Sequence, residues 1–443
     1  MAIYELFLGP KDANRNIRAT FVSTTFGAIG FGMLWLNILS IFILILANES
    51  TTMLGLVTMV AGLVSTIFIF PVGYIVDRWR RDVFIWIGAL FQALAMGILV
   101  ISTTIEMVLV AQLFAGAGWG VSGTAREALL ADSLPSGTRS EIYARLFFLN
   151  MAFSAVGPAL NIILFFILGD SWNLSILRMV IFVSFIFILI SSIASLFMAD
   201  RHALGKESES LAYRPFDDSK ERSSFGIPII LVASGLVIGF GAGMTVAFFP
   251  VFFKNEYGIK PVLMMSIYFL MNLATAFSAT AGQRISRRLG LVETIFLLQM
   301  TAVYALAFII QYPPLIILIP LFIARNALMN ASAPLNRTIV MDRIAKRHRG
   351  KWNSLEQLAW GLFWNVSAAI GGFIIENYSF RVCFTITATL YMLAILPLLA
   401  LFGRVEMEGE RLSPATPEEQ VPSTIAEPQP GVSPSEQFLD RPS

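Results

Sequence analysis

Arg325 is the residue whose type and position most invite chemistry. It stands inside LIPLFIARNALMNASAP. It lies about 11 residues from the nearer polar turn, which at about 1.5 Å per residue is the middle of an apolar layer about 30 Å thick. A guanidinium there is expensive and is by default a functional-site candidate. It offers a fixed positive charge to an anionic or polar ligand, or to a carboxylate partner. No acidic residue lies at matching depth in another apolar run, which favours the ligand unless water solvates the charge. The packing alternative bonds the arginine to helix carbonyls and neighbouring amides.

Other polar and aromatic residues sit mid-run and complete a candidate substrate-binding set: Trp35, Asn37, Trp119, Tyr268, Asn272, Trp364 and Asn365, with Asn150 and Asn330 as further amides. Aromatic walls with a few convergent polar groups suit a small-molecule site, although each amide alone is more often glue between helices. Nucleophilic and metal chemistry lack their residues. The two histidines, His202 and His348, stand in polar loops, and Cys383 is the one cysteine. No apolar run holds paired carboxylates. An enzyme, a metal site and a cofactor are therefore not expected, and no disulfide can form within the chain. The phosphate loop G-x-x-x-x-G-K-[ST] is missing, so ATP is not a direct energy source.

The elements that must position these residues follow from composition. Of 443 residues, 56% are hydrophobic and 14% charged, with a mean hydropathy of +0.73. That is too little polar surface for a soluble body, and a bilayer resolves the problem as an apolar solvent. A span needs about 20 apolar residues, and such runs fall near 20–47, 53–76, 83–104, 106–131, 141–168 and 173–198, then 226–253, 261–283, 291–311, 314–338, 352–376 and 379–403. Continuous rather than alternating hydrophobicity makes them helices and not barrel strands.

Of the 31 lysines and arginines, Lys254, Lys260 and Arg381 fall on one side, Arg178 and Arg325 lie within runs, and the rest gather on the opposite side or at its helix ends. Positive charge marks the cytoplasmic face, so both termini are expected there. The N-terminal stretch lacks the apolar core of a cleaved leader, and the first run serves as the insertion signal. Residues 199–225 are polar, mixed in charge and rich in turn formers, and read as a cytoplasmic linker. Residues 404–443, dominated by Pro, Ser and Glu, read as a disordered cytoplasmic tail. The domains expected are 1–198 and 226–403, each of six helices.

An internal repeat joins the two. PVGYIVDRWRRD at 71–82 returns as AGQRISRRLG at 281–290, with Gly282 for Gly73, Ser286 for Asp77 and Arg287 for Arg78. The loop after the fourth run carries Asp132 and Arg139, and the loop after the tenth carries Asp342 and Arg349, 210 positions later. Two matches at nearly one offset indicate a duplication, and parallel six-helix repeats are one recognised transporter architecture.

With these motifs the chain, over residues 18–403, resembles the major facilitator superfamily. The G-x-x-x-D-R-x-x-R hinge is present at Gly73, Asp77, Arg78 and Arg81, with Arg80 where the family usually has a second glycine. Ala131, Asp132, Pro135 and Arg139, and RGKWNSLE at 349–356, are also similar to the family's loops. Gln112 stands where proton-coupled drug antiporters carry an arginine, with Gly116 and Gly118 kept; of their fifth-span glycine motif only Gly157-Pro158 remains. Both departures weaken a proton-antiport assignment.

The resemblance implies an all-α membrane protein, twelve transmembrane helices in two six-helix bundles related by a pseudo-two-fold, working by alternating access. It implies that spans one, four, seven and ten line a central cavity, into which Arg325 would point. It also places the second span against the eleventh, so that Gly73, Asp77, Arg78, Arg81, Glu127, Asp132, Arg139, Asp342, Arg349 and Glu356 form a cytoplasmic gate. In it Asp77 faces the helix start near Trp352 and Asn353, and Glu127 and Glu356 pair with Arg78 and Arg81. The glycine pairs Gly116/Gly120 and Gly239/Gly243 permit close helix approach. The expected partners are the lipid bilayer and a small organic solute, polar or anionic, with a proton as the possible coupling ion to test, and no nucleic acid; a monomer is expected. Efflux of amphipathic compounds is the alternative, and a non-transporting receptor of this shape a third reading.

Overall fold

The computed structural model describes residues 13–35, 37–76, 78–134, 139–204, 226–343 and 346–403, with side chains except at 70, 139–140, 279, 341–343 and 346–354. Twelve helices among the described residues are long and apolar enough to cross a membrane. The first span is Arg15–Leu34 continued by Ile38–Leu46. The second to sixth are Thr51–Val76, Arg81–Ile101, Ile105–Ser133, Arg139–Leu168 and Leu174–Leu196. The seventh is Gly226–Thr245 continued by Phe249–Tyr257. The eighth and ninth are Pro261–Leu289 and Leu291–Ile309. The tenth is Leu315–Ala331 continued by Ala333–Arg343; the eleventh and twelfth are Lys346–Asn377 and Phe380–Ile395. Each run expected from the sequence is helical, three of them as two helices in succession.

Local signals set the ends. Asn173 and Ser379 accept hydrogen bonds from the amides of Ser175 and Val382 at the starts of the sixth and twelfth spans, relieving donors that a helix start leaves unpaired. Pro261 opens the eighth span, where its missing N–H costs nothing. Gly258, at φ 62°, ends the seventh, a left-handed turn that favours glycine.

An even number of spans puts both ends of the described chain on one side, here called the termini side; the opposite is the far side. Within the first six spans, one packs on five and six, two on four, and three on four and six. Seven packs on eleven and twelve, eight on ten, and nine on ten and twelve. Adding six to each member of the first set yields the second, which is the pseudo-two-fold. The sets meet where the second span packs on the eleventh and the fifth on the eighth, contacts that the same operation exchanges.

The two halves carry a break at equivalent places. The first span breaks between Leu34 and Ile38, the seventh across the short turn Val246–Phe248, about 210 positions on by the offset of the duplication. At the first break Asn37 accepts from its neighbour's amide, Ile38 N–H, and donates to the Gly32 carbonyl at 3.2 Å. At the second, Thr245 Oγ1 donates back to the Gly241 carbonyl at 3.2 Å, and Pro250 lies in the first turn of the resumed helix.

Hydrogen bonds between the two sets of six spans gather toward the far side. Thr51 Oγ1 donates to the Gly372 carbonyl at 2.9 Å, and Lys254 Nζ meets Glu49 Oε2 at 2.8 Å. Trp172 Nε1 donates to the Ile259 carbonyl at 2.9 Å. Small residues let the backbones close there: a Cβ added to Gly55 would lie 2.4 Å from the Ala368 carbonyl, and one on Gly372 2.3 Å from that of Thr51. The linker from 205 and the tail from 404 lie outside the described residues.

Candidate functional site

The candidate binding residues fall into three places rather than one. The first is a hollow between the first, third and fourth spans, beside the break of the first. Phe31, Leu34, Trp35, Leu39, Gln92, Met96, Gln112 and Trp119 line it. Phe31 and Trp119 meet with ring centroids 5.2 Å apart. Trp35 and Trp119 are 43% and 49% exposed, the condition of a wall and not of a core. Gln92 Nε2 donates to the Ala115 carbonyl at 3.2 Å, leaving its oxygen as an acceptor. The fourth span comes this close because it is glycine-rich: Cβ atoms on Gly116 and Gly120 would lie 2.2 Å and 2.5 Å from carbonyls of the second span. The hollow offers aromatic faces and amides and no charge.

The second place is buried. Arg325 is 2% exposed. Its Nη2 donates to the Tyr391 hydroxyl at 2.9 Å, and its guanidinium lies over the rings of Phe249 at 5.2 Å and Tyr391 at 5.7 Å. Phe322, one turn back along the tenth span, packs against Phe249 and Tyr268. Gly241 admits the Tyr391 ring, since a Cβ there would meet it at 2.8 Å. Arg325 Nε is buried without a partner, and among the described residues no carboxylate lies within 4.0 Å of the guanidinium. The cation is held by π faces and one hydroxyl, which leaves its charge unneutralised.

The third place is the seam of the second, seventh and eleventh spans. Asn365 sits on Gly62 and donates to the Gly361 carbonyl at 2.6 Å. Trp364 stacks on Trp360 at 6.1 Å, and the Trp360 ring covers Gly239. Gly243 lies against the Trp364 carbonyl. Asn272 is half-buried, and Asn150 is exposed. Asn330 donates to the Asn326 carbonyl at 2.8 Å. Asn37 is occupied as the cap of the broken first span. The eight residues thus do not converge on one place. Gln92 and Tyr391 were missed, since a lone amide or tyrosine in an apolar run carries no spacing signal, and Gln112 was read only as a departure from the family's arginine.

The basic end of the second span differs from expectation as well. Arg81 pairs with Asp132, and its amide donates to Asp200 Oδ2 at 2.6 Å. Arg80 pairs with Asp82 at 2.9 Å, a carboxylate that holds the guanidinium's pKa above its ordinary value. Arg78 lies over the Tyr74 ring at 4.3 Å. A Cβ on Gly73 would meet the Thr124 methyl at 3.8 Å, an ordinary contact. Among the described residues Glu127 and Glu356 make no ion pair with Arg78 or Arg81. In this state, where the described hydrogen bonds between the halves gather on the far side, Arg78 and Arg81 engage Tyr74, Asp132 and Asp200 of their own half. These arginines tie one half together here, and the expected pairing across to Glu356 belongs to a state with the termini side closed. Asp77, and the side chains of Arg139, Asp342 and Arg349, lie outside the described residues.

The sequence profile of the Major Facilitator Superfamily matches residues 20–325 and 294–442. The chain belongs to that superfamily. It is a multi-pass membrane transporter. No curated protein matches the sequence. Solved structures of similar fold include a bacterial homologue of the iron transporter ferroportin in an inward-facing state, with TM-score 0.69 and 14% identity, covering 88% of this chain and 99% of that one. The nucleoside transporter NupG matches with TM-score 0.66 and 11% identity over 88% of this chain and 99% of its own. A D-xylose–proton symporter matches with TM-score 0.67 and 14% identity over 88% and 98%. Identities this low concern the fold and leave each protein's cargo its own.

Proposed function

We propose that this transporter carries a small organic solute bearing a polar or anionic group, with both termini in the cytoplasm and the far side closed. The observation behind the solute's charge is Arg325. A guanidinium buried without a carboxylate, with one N–H still free, biases the interior of the second half toward negative or electron-rich groups. Alternating access gives it a partner when the halves rock about the site. A second reading, transport of amphipathic compounds, draws on the Phe31–Trp35–Trp119 hollow, whose faces suit a flat apolar body. Bare metal cargo has less support, because no group of three His, Cys, Asp or Glu among the described residues could hold an ion.

A ligand-stabilisation screen on the purified protein separates the two readings. A ligand at about 100 times its Kd adds about 2.7 kcal/mol to stability. Organic anions that stabilise the wild type and Trp119→Ala but not Arg325→Met support the first reading. Amphipathic compounds lost in Trp119→Ala and kept in Arg325→Met support the second. Hits retained in both variants remove both places from the site.

A further inference from the structure

Two carboxylates close the far side in the same way at two-fold-related places. Glu376, in the last turn of the eleventh span, accepts from the Thr52 amide at 2.7 Å and from Ser50 Oγ at 2.6 Å. Asp170, just past the fifth span, accepts from the Val262 amide at 2.8 Å. Thr52 and Val262 both lie in the opening turn of a long helix, the second and the eighth span, and they are 210 positions apart. Each carboxylate belongs to the opposite half of the molecule from the amide that it caps. A negative charge at a helix start is favoured by the unpaired amides and the helix dipole. These amides meet these carboxylates only while the far side is shut.

We propose that Asp170 and Glu376 are a pair of proton-responsive latches, which hold the far side closed when ionised and release it when protonated from that side. The inference rests on alternating access. Glu376 is exposed and reachable by bulk protons, and its hydrogen-bonded partners are a hydroxyl and an amide. Asp170 has the amide of Val262, with Lys260 two residues before it. The other charged groups of this end are engaged elsewhere or carry the same sign. Glu49 and Lys254 pair with each other, Arg178 is held by the Ser102 carbonyl, and Arg381 lies over the Tyr312 ring. Glu106 and Glu256 are the remaining far-side carboxylates of this group.

The sign is fixed by which state holds the contact. In the closed state each carboxylate accepts hydrogen bonds that only its ionised form accepts fully, so a bound proton favours the open state. Latching is therefore weakened as pH falls and restored as it rises. Each proton taken up on opening makes the open-to-closed ratio change by at most about tenfold per pH unit, and two protons by about a hundredfold. This assigns a proton response to a transporter whose spans carry no central carboxylate partner for Arg325.

The test uses the full chain in nanodiscs, with Cys383→Ser and nitroxide labels at Thr103 and Gln311, which are exposed on the far side in the two halves. Pulsed electron resonance reads the distance between them from about pH 7 to about pH 3.5, across the ordinary carboxylate range. The wild type should gain a longer distance as pH falls. Asp170→Asn with Glu376→Gln should populate that distance already at about pH 7, where both wild-type carboxylates are ionised, and lose the response. Either single variant should keep a response of at most one proton, which preserves the test if the double variant folds poorly. A wild type without a pH response overturns the proposal, as does a double variant that responds like the wild type. Solute flux in proteoliposomes is measured separately. Opening without flux counts against the proposed solute and leaves the latches standing, whereas flux without pH-driven opening counts against the latches alone.

Discussion

Tyr391 supplies the hydroxyl that makes a mid-membrane arginine tolerable, and it shows how a charge can be carried where no counter-ion reaches it. The guanidinium keeps π faces around it, one neutral oxygen, and one N–H without a partner. Hydrogen bonds to charged groups contribute about 1.5–3 kcal/mol. Tyr391→Phe should therefore lower the thermal unfolding midpoint in detergent by several degrees. Arg325→Met, which removes the charge together with its unmet donor, should cost less; a larger loss for Arg325→Met would mean that the cation is satisfied by more than is seen here. Arg325 was legible in the sequence because one charge in a long apolar run stands out. Its surroundings were not. Phe249 and Tyr391 come from spans 76 and 66 positions away, and nothing local in an apolar run tells which ring will face the charge.

Helices in this molecule approach by removing side chains, and the seam of the second and eleventh spans shows it most fully. Gly55, Gly62 and Gly372 each have a partner atom within 2.4 Å of where a Cβ would stand. Gly55→Ala should wedge the far side apart and raise the population of the longer 103–311 distance, whereas Gly97→Ala, which meets nothing within 4 Å, should leave it unchanged. No change in Gly55→Ala would mean that the seam relaxes without opening. Span number, order and most ends were readable from hydrophobicity, because a span must be long and apolar whatever it touches. The glycine pairs were readable as contact points. The breaks in the first and seventh spans were not, since Leu34–Ile38 and Thr245–Phe249 are as apolar as their neighbours and the kink is imposed by packing and capping. The hinge arginines were readable as a charged cluster, and their partners were not, because Asp132 and Asp200 reach them only through the folded bundle.

At the scale of the whole molecule, two six-helix bodies meet along two equivalent seams, and transport requires the far-side ends to part. A thiol cross-linker bridging Glu49→Cys and Lys254→Cys, which replace a pair in direct contact, should abolish flux in proteoliposomes until a reducible linker is cleaved. Flux that persists under complete cross-linking would show that the far side need not open there. The repeat was legible as a constant offset, and the pairing of helices confirms it. The far-side latches follow the repeat only in part. The capped amides, at 52 and 262, are equivalent positions of the duplication, but the carboxylates that cap them, at 170 and 376, are 206 positions apart. One reaches in from a loop and the other from the final turn of a helix. The two copies therefore share the position of the socket and not the position of the plug, and the same closure is built from non-equivalent acids.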